Sequence, residues 1–286
     1  MTTRAPLAPT AGAPPRRAGA GGALVRVARE SADFTWRNLI HLRRTPTTLA
    51  SSLLEPILFA GLIGYVFGGS LGGPAYREYL VAGLLGQAVT FTASFTAIGI
   101  ARDLQEGTVE RFSALPIARV SLLLGRTTAD LATCLASTTV TTGCGLVLGW
   151  RPHTGPAQVL GGYLVVLLFA FALSWIGAFI GIIAPNVQVA ASLGLIWLFP
   201  VTFVSSGFIA TASLPEPLAT IAAWNPITAL ANALRALFGN AAPPGFPPQH
   251  GWATAHPVPY AVGCAVLLVI VFIPLSTWRY RVRTSR

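Results

Sequence analysis

Apolar positions along this chain come in long unbroken runs, not in the alternation of a half-buried strand or the one-sided stripe of a surface helix. Six runs stand out, at 48–68, 79–100, 122–149, 159–183, 189–209 and 258–278. A hydrocarbon layer of roughly 30 Å needs about 20 apolar helical residues per crossing, and each run meets that length. Strands of a membrane barrel would read as alternating segments of about ten residues, whereas these runs are apolar on every side and rich in Leu, Ala, Gly and Val. The pattern predicts an all-α integral membrane protein with six transmembrane helices.

Ahead of the runs, residues 1–22 are rich in Pro, Ala, Gly and Arg and lack the apolar core of a signal peptide, so a disordered cytosolic tail is expected. Residues 23–46 differ. Leu24, Val27, Phe34, Leu39 and Ile40 stand among Arg26, Arg29, Glu30, Asp33 and Arg37, which suits an amphipathic helix lying on the inner leaflet. The transmembrane domain is then expected over 47–280, followed by a basic cytosolic tail at 281–286.

Composition supports this division. Hydrophobic residues make up 53% of the 286 and charged residues 10%, more apolar surface than a soluble domain of that size can hide, so the surplus faces lipid. All 19 basic residues are arginine. Sixteen lie before the first run, around the connection between the second and third, or after the last; Arg77, Arg151 and Arg235 lie on the other side. Positive charge marks the cytosolic face, which puts both termini inside and requires an even number of crossings. Trp150 and Trp278, at run ends, occupy the positions of interfacial anchors.

Several chemistries drop out. Without lysine there is no P-loop, so ATP and its magnesium must be handled by another chain, and no cofactor is expected on this one. His41, His153, His250 and His256 all fall outside the runs, and Asp130 is the only aspartate within one, which argues against an intramembrane protease. Cys134, Cys144 and Cys264 show neither disulfide-framework nor zinc spacing. The expectation is no metal, no enzyme activity and no nucleic-acid partner.

Charges inside the runs need a reason, since an aspartate at a helix centre costs on the order of 2.5–3.5 kcal/mol on insertion scales. Arg126 and Asp130 share a helical face and neutralise each other at the membrane border. Glu55, followed by Pro56, faces a wet path, pairs with an arginine of another segment, or snorkels toward the cytosol. With Gln87, Glu55 and Asp130 form a candidate translocation path; the dense hydroxyls of the second and third runs read first as close-packing residues. The connection 101–116 has a polar face (Asp103, Glu106, Glu110, Arg111) and an apolar one (Leu104, Phe112, Leu115). It is expected to be a short amphipathic helix ending before Pro116, or else an ordinary capped loop.

Here the residues resemble a known family. Glu106-Gly107-Thr108-Val109-Glu110-Arg111-Phe112 with Leu115-Pro116 is similar to the signature in the first cytoplasmic loop of ABC-2 type transporter permeases, above all the daunorubicin-resistance (DrrB-like) branch. Ser206-Gly207, Leu214-Pro215, Asn225-Pro226 and Arg235 match a second, ordered motif of that family, and Glu55-Pro56 is also similar to the branch.

The resemblance implies six spans, an interfacial N-terminal helix, and short re-entrant helices between spans five and six that carry the second motif. It implies a homodimer or heterodimer of permeases, with two copies of a cytosolic ABC ATPase docking on the loop helix through Asp103, Glu106, Gly107, Thr108, Glu110, Arg111, Phe112 and Pro116. The expected activity is export of an amphiphilic drug-like natural product or lipid across the plasma membrane, as in antibiotic resistance. The alternative is a proton-coupled secondary transporter using Glu55 or Asp130. Residues 240–256 are longer than such a connection needs and read as a local insertion.

Overall fold

The computed structural model describes residues 46–67, 73–107, 119–211, 214–240 and 251–284, together with positions 29, 31–33, 35, 36, 40, 242 and 243. The tail 1–22, most of 23–46, 285–286, and 241 and 244–250 within the 240–256 segment lie outside them. Among the described residues every regular element is helical: α1 (Pro46–Gly61, continuing as a π-helical stretch, Leu62–Phe67), α2 (Gly73–Gln105), α3 (Arg119–Val147), α4 (Pro156–Ile183), α5 (Val187–Phe203), α6 (Glu216–Trp224), α7 (Pro226–Phe238), α8 (Trp252–Ala255) and α9 (Pro257–Thr284). Among the described residues three helices are long and apolar enough to cross a membrane, Gly73–Gln105, Pro156–Ile183 and Pro257–Arg283. The other predicted runs give less: the apolar part of the first is Leu53–Gly64, α5 stops after 17 residues, and threonines dilute the apolar character of α3.

Helix α2 is the spine of the bundle, packing against α3, α4, α5 and α7. Between Tyr79 and Ala101 its residues, Gln87 apart, are apolar or small on every side, and Leu80, Val81, Leu85, Val89, Ala93 and Ala97 are all buried; a helix apolar all round belongs inside. Helix α4 approaches it closely, because Gly177 and Gly181, one turn apart, rest on the carbonyl oxygens of Ala93 and Ala97 with no room for a Cβ. By contrast α9 packs by one side on α4 and α7 and exposes Val266, Leu267, Ile270 and Val271, as a lipid-facing helix does.

The hydroxyl-rich faces are packing devices. Thr90 and Thr92 donate to the carbonyls of Gly86 and Ala88, and Thr138 and Thr141 in α3 do the same to Cys134 and Ser137. A hydroxyl returned to the carbonyl four residues back is satisfied within its own helix and can be buried without water.

Three expectations are corrected. Trp150 is 2% exposed; its indole donates to Asn240 Oδ1 at 2.9 Å and meets Phe238 edge-on at 5.4 Å, so it is a core residue and not an interfacial anchor. Trp278 does point outward. Arg235, counted above among loop charges, is buried. Finally, Asp103 and Leu104 belong to α2, not to a separate loop helix: nothing between Ile100 and Gln105 breaks the helix, which ends in a turn where Gly107 takes a left-handed φ of 65°.

The α2–α4 contact yields a prediction. Gly177→Ala should lower stability by about 1–3 kcal/mol through overpacking, read as a downward shift of the thermal unfolding midpoint in detergent. Gly263→Ala, on the open side of α9, should leave that midpoint within experimental error.

Candidate functional site

Two polar clusters sit at opposite ends of α2. The first begins at Asn225, between α6 and α7. Its Oδ1 accepts from Ile227 N at 2.8 Å and so caps α7, with Pro226 at the first helical position. Its Nδ2 donates to the carbonyls of Val201 and Val204 at 2.7 and 2.6 Å, at the end of α5, where carbonyls lose their helical partners. One side chain thereby starts one helix and closes another.

Nearly three turns along α7, Arg235 is 7% exposed. Its Nε donates to Tyr79 O at 3.3 Å; Nη1 donates to Ser206 Oγ and Asn232 Oδ1, both at 3.1 Å; Nη2 donates to Ser206 O at 2.7 Å, Tyr79 O at 3.2 Å and Gly207 O at 3.3 Å. The guanidinium carbon lies 3.4 Å from the centre of the Tyr79 ring. The Ser206–Phe208 turn is held from other sides too. Tyr79 Oη donates to Ser206 O at 2.8 Å, Tyr76 Oη to Phe208 O at 3.0 Å, and Ser206 N to Thr228 Oγ1 at 2.9 Å. Gly83 lets the turn press onto α2, since a Cβ there would strike the Gly207 carbonyl.

Three motif residues, Ser206, Gly207 and Arg235, therefore meet, while Asn225 ties the two helix ends beside them. Leu214 and Pro215 stand apart, the former in a turn and the latter capping α6. The sequence reading missed Tyr76, Tyr79, Thr228 and Asn232. A signal was available: 228, 232 and 235 repeat at helical spacing on one face of α7. Chemically this is a lock; the guanidinium spends its donors on main-chain oxygens, an amide and a hydroxyl.

At the other end, Arg126 of α3 lies 3.5 Å from Asp103 Oδ2 and 3.5 Å from Asp130 Oδ1, and Thr96 Oγ1 donates to Asp130 Oδ2 at 2.6 Å. The expected Arg126–Asp130 pair is thus extended to Asp103, at the end of α2 that leads into the Glu106 motif. Glu106 is exposed beside Gly107 in the turn; Thr108, Glu110, Arg111, Phe112 and Pro116 lie outside the described residues.

The three candidate path residues do not form one site. Gln87 Nε2 donates to Glu55 Oε1 at 3.4 Å, whereas Asp130 binds Thr96, nine residues further along α2, or about 13 Å at helical rise. A further cluster at the Arg235 end joins His153 Nε2 to both Glu78 oxygens at 3.1 and 3.2 Å, with Asn240 Nδ2 donating to Arg151 O at 3.0 Å. Among the described residues no group of His, Cys, Asp and Glu could hold a metal ion.

Comparison with known proteins decides the family. The ABC-2 type transporter family model matches residues 34–238, which takes in both motifs and both clusters. This chain belongs to the ABC-2 type transporter family. A similar relative is the daunorubicin resistance ABC transporter permease protein DrrB1 of Streptomyces coeruleorubidus, 29% identical over 266 residues covering 92% of this chain and 90% of that one. Another is the probable doxorubicin resistance ABC transporter permease protein DrrC of Mycobacterium tuberculosis, 27% identical over 78% of this chain and 82% of that one. In this ABC-2 protein the family match ends at Phe238, the last residue of α7, three positions after Arg235.

Two predictions follow from these clusters. Arg235→Lys keeps the charge but replaces a planar five-donor fork by a three-donor point, stranding carbonyls of Tyr79, Ser206 or Gly207; a loss of about 2 kcal/mol or more is expected in chemical denaturation. A double-mutant cycle of Asp103→Asn with Arg126→Gln should show a coupling of about 0.5–1 kcal/mol, modest because both groups are partly exposed. Strict additivity would mean the two side chains do not interact.

Proposed function

We propose that this chain is the permease subunit of an ABC exporter that moves amphiphilic, drug-like molecules out of the cell. The observation that carries it is α2, one rigid 33-residue helix whose one end leads into the Glu106–Phe112 motif through Asp103 and whose other end is locked to the Ser206 turn by Arg235. A push delivered at one membrane face would reach the other without being absorbed by a hinge. The family membership supports an ATP-binding partner subunit, and the daunorubicin and doxorubicin resistance for which the relatives are named supports an aromatic amphiphile as cargo.

In this reading six helices, α1 to α5 and α9, cross the plasma membrane with both termini cytosolic. Helices α6 and α7, at 9 and 13 residues, are too short to cross and re-enter from the outer face. Two permease chains, identical or sister, enclose the path, and two ATPase copies dock on the segment from Asp103 to Pro116. ATP and magnesium stay on the ATPase, and chemistry on this chain is limited to conformational coupling. The proton-coupled alternative is weakened by the ties on Asp130, which Thr96 and Arg126 both engage.

Glu106→Ala and Glu110→Arg should abolish drug efflux and co-purification of the ATPase while leaving membrane expression unchanged. Normal efflux in both variants would refute the docking role. Efflux that survives ATP depletion but stops with an uncoupler would favour the proton-coupled reading instead.

A further inference from the structure

Where α6 turns into α7, α8 and the first turn of α9 close over the elbow to leave a cavity of about 170 Å³. It lies at the Arg235 end of the bundle. Three aromatic rings wall it. Trp224 and Tyr260 meet edge to face at 6.0 Å, and Trp252 and Tyr260 meet at 6.3 Å with their planes 89° apart. Tyr260 Oη donates to the Trp224 carbonyl at 3.4 Å, and His256 stacks on Trp252 at 5.3 Å, so the rings hold one another in place. Yet Trp224 is 69% exposed and Trp252 64% exposed. They are held apart from the core, around a hollow.

The lining sorts possible occupants. Among the described residues no Asp, Glu, Lys or Arg contributes to it, so a charged ligand finds no counter-charge there, while the ring faces favour a flat π system. A cavity of about 150 Å³ is known to hold a benzene-sized guest, which makes this one the size of a single ring or a small fused bicycle. Asn232 supplies direction. Its Oδ1 accepts from Ser206 Oγ and Arg235 Nη1, both at 3.1 Å. That turns the amide so that its NH2 faces away from the lock, and this group has no hydrogen-bond partner among the described residues. A donor is left free beside an aromatic wall.

We propose that this cup is a binding site for one uncharged planar aromatic ring system, a single ring or fused bicycle, bearing a hydrogen-bond acceptor that meets Asn232 Nδ2. The site stands on geometry alone and needs neither ATP nor transport.

The test uses the full chain in lipid nanodiscs and coumarin, a neutral fused bicycle with one carbonyl acceptor, measured by equilibrium dialysis against empty nanodiscs. Saturable binding above the lipid background is expected. Trp252→Ala should weaken it about tenfold and Trp252→Phe by about threefold or less. Asn232→Asp keeps an acceptor for Ser206 and Arg235 but removes the donor, and should also weaken binding about tenfold. Octahydrocoumarin, which keeps the carbonyl and loses the flat π face, should bind about tenfold more weakly than coumarin. The assignment is overturned if coumarin shows no saturable binding, if Asn232→Asp binds it like the parent, or if the saturated lactone binds equally well. Should Trp252→Ala fail to fold, Asn232→Asp and the saturated lactone decide. Because no arm measures efflux, failure here leaves the exporter reading standing, and failure of that reading leaves the cup standing.

Discussion

A single buried guanidinium determines how the helices at one end of this protein fit together. Burying an arginine strips it of water, a penalty of several kcal/mol unless every donor is re-satisfied. Arg235 meets that condition without a carboxylate. Its donors reach the main-chain oxygens of Tyr79, Ser206 and Gly207 plus the side chains of Ser206 and Asn232, and its face lies on the Tyr79 ring. Since those oxygens belong to α2 and to the turn after α5, satisfying one side chain fixes three segments at once. Lysine has neither the fork nor the flat face to do the same.

From that lock the rest of the arrangement follows. With the Ser206 turn pressed on Gly83, α5 can end early, and Asn225 takes up carbonyls at its end while starting α7. Helix α7 is then drawn under α4 and α9, and Trp150 and Phe238 fill the space between them. Helix α2 is gripped at both ends, by Arg235 at one and by the Asp103–Arg126 contact at the other, with α4 seated against its middle on Gly177 and Gly181. A helix held in this way is fixed at both ends and along its middle, which is the arrangement the proposed coupling requires.

The same economy governs the polar groups at membrane depth. In hydrocarbon each unsatisfied donor or acceptor costs several kcal/mol, and the threonines of α2 and α3 answer this by bonding to their own helices. Gln87 turns to Glu55, and Asp130 is shared between Thr96 and Arg126. Against that background the aromatic cup is a departure, since it leaves an amide donor and exposed indoles facing a void.

How much was legible beforehand depends on the range of the interaction. Bilayer thickness acts on consecutive residues, so the apolar runs, the helical class and the shared face of Arg126 and Asp130 could be read from spacing alone. The break at Asn225-Pro226 could be read too, because proline and a capping amide act within a turn. What pairs with what could not. Arg235 meets Tyr79 across 156 residues, Asn240 meets Trp150 across 90, and nothing local marks either partner. For the same reason Arg235 and Trp150 looked like surface residues, one charged and the other amphipathic, until neighbouring helices enclosed them. The division of Glu55 and Asp130 into separate places was likewise settled by which helices lie side by side. The chain alone determines where helices form and that they are greasy; burial, partnering and the cup depend on contacts that exist only once the helices have packed.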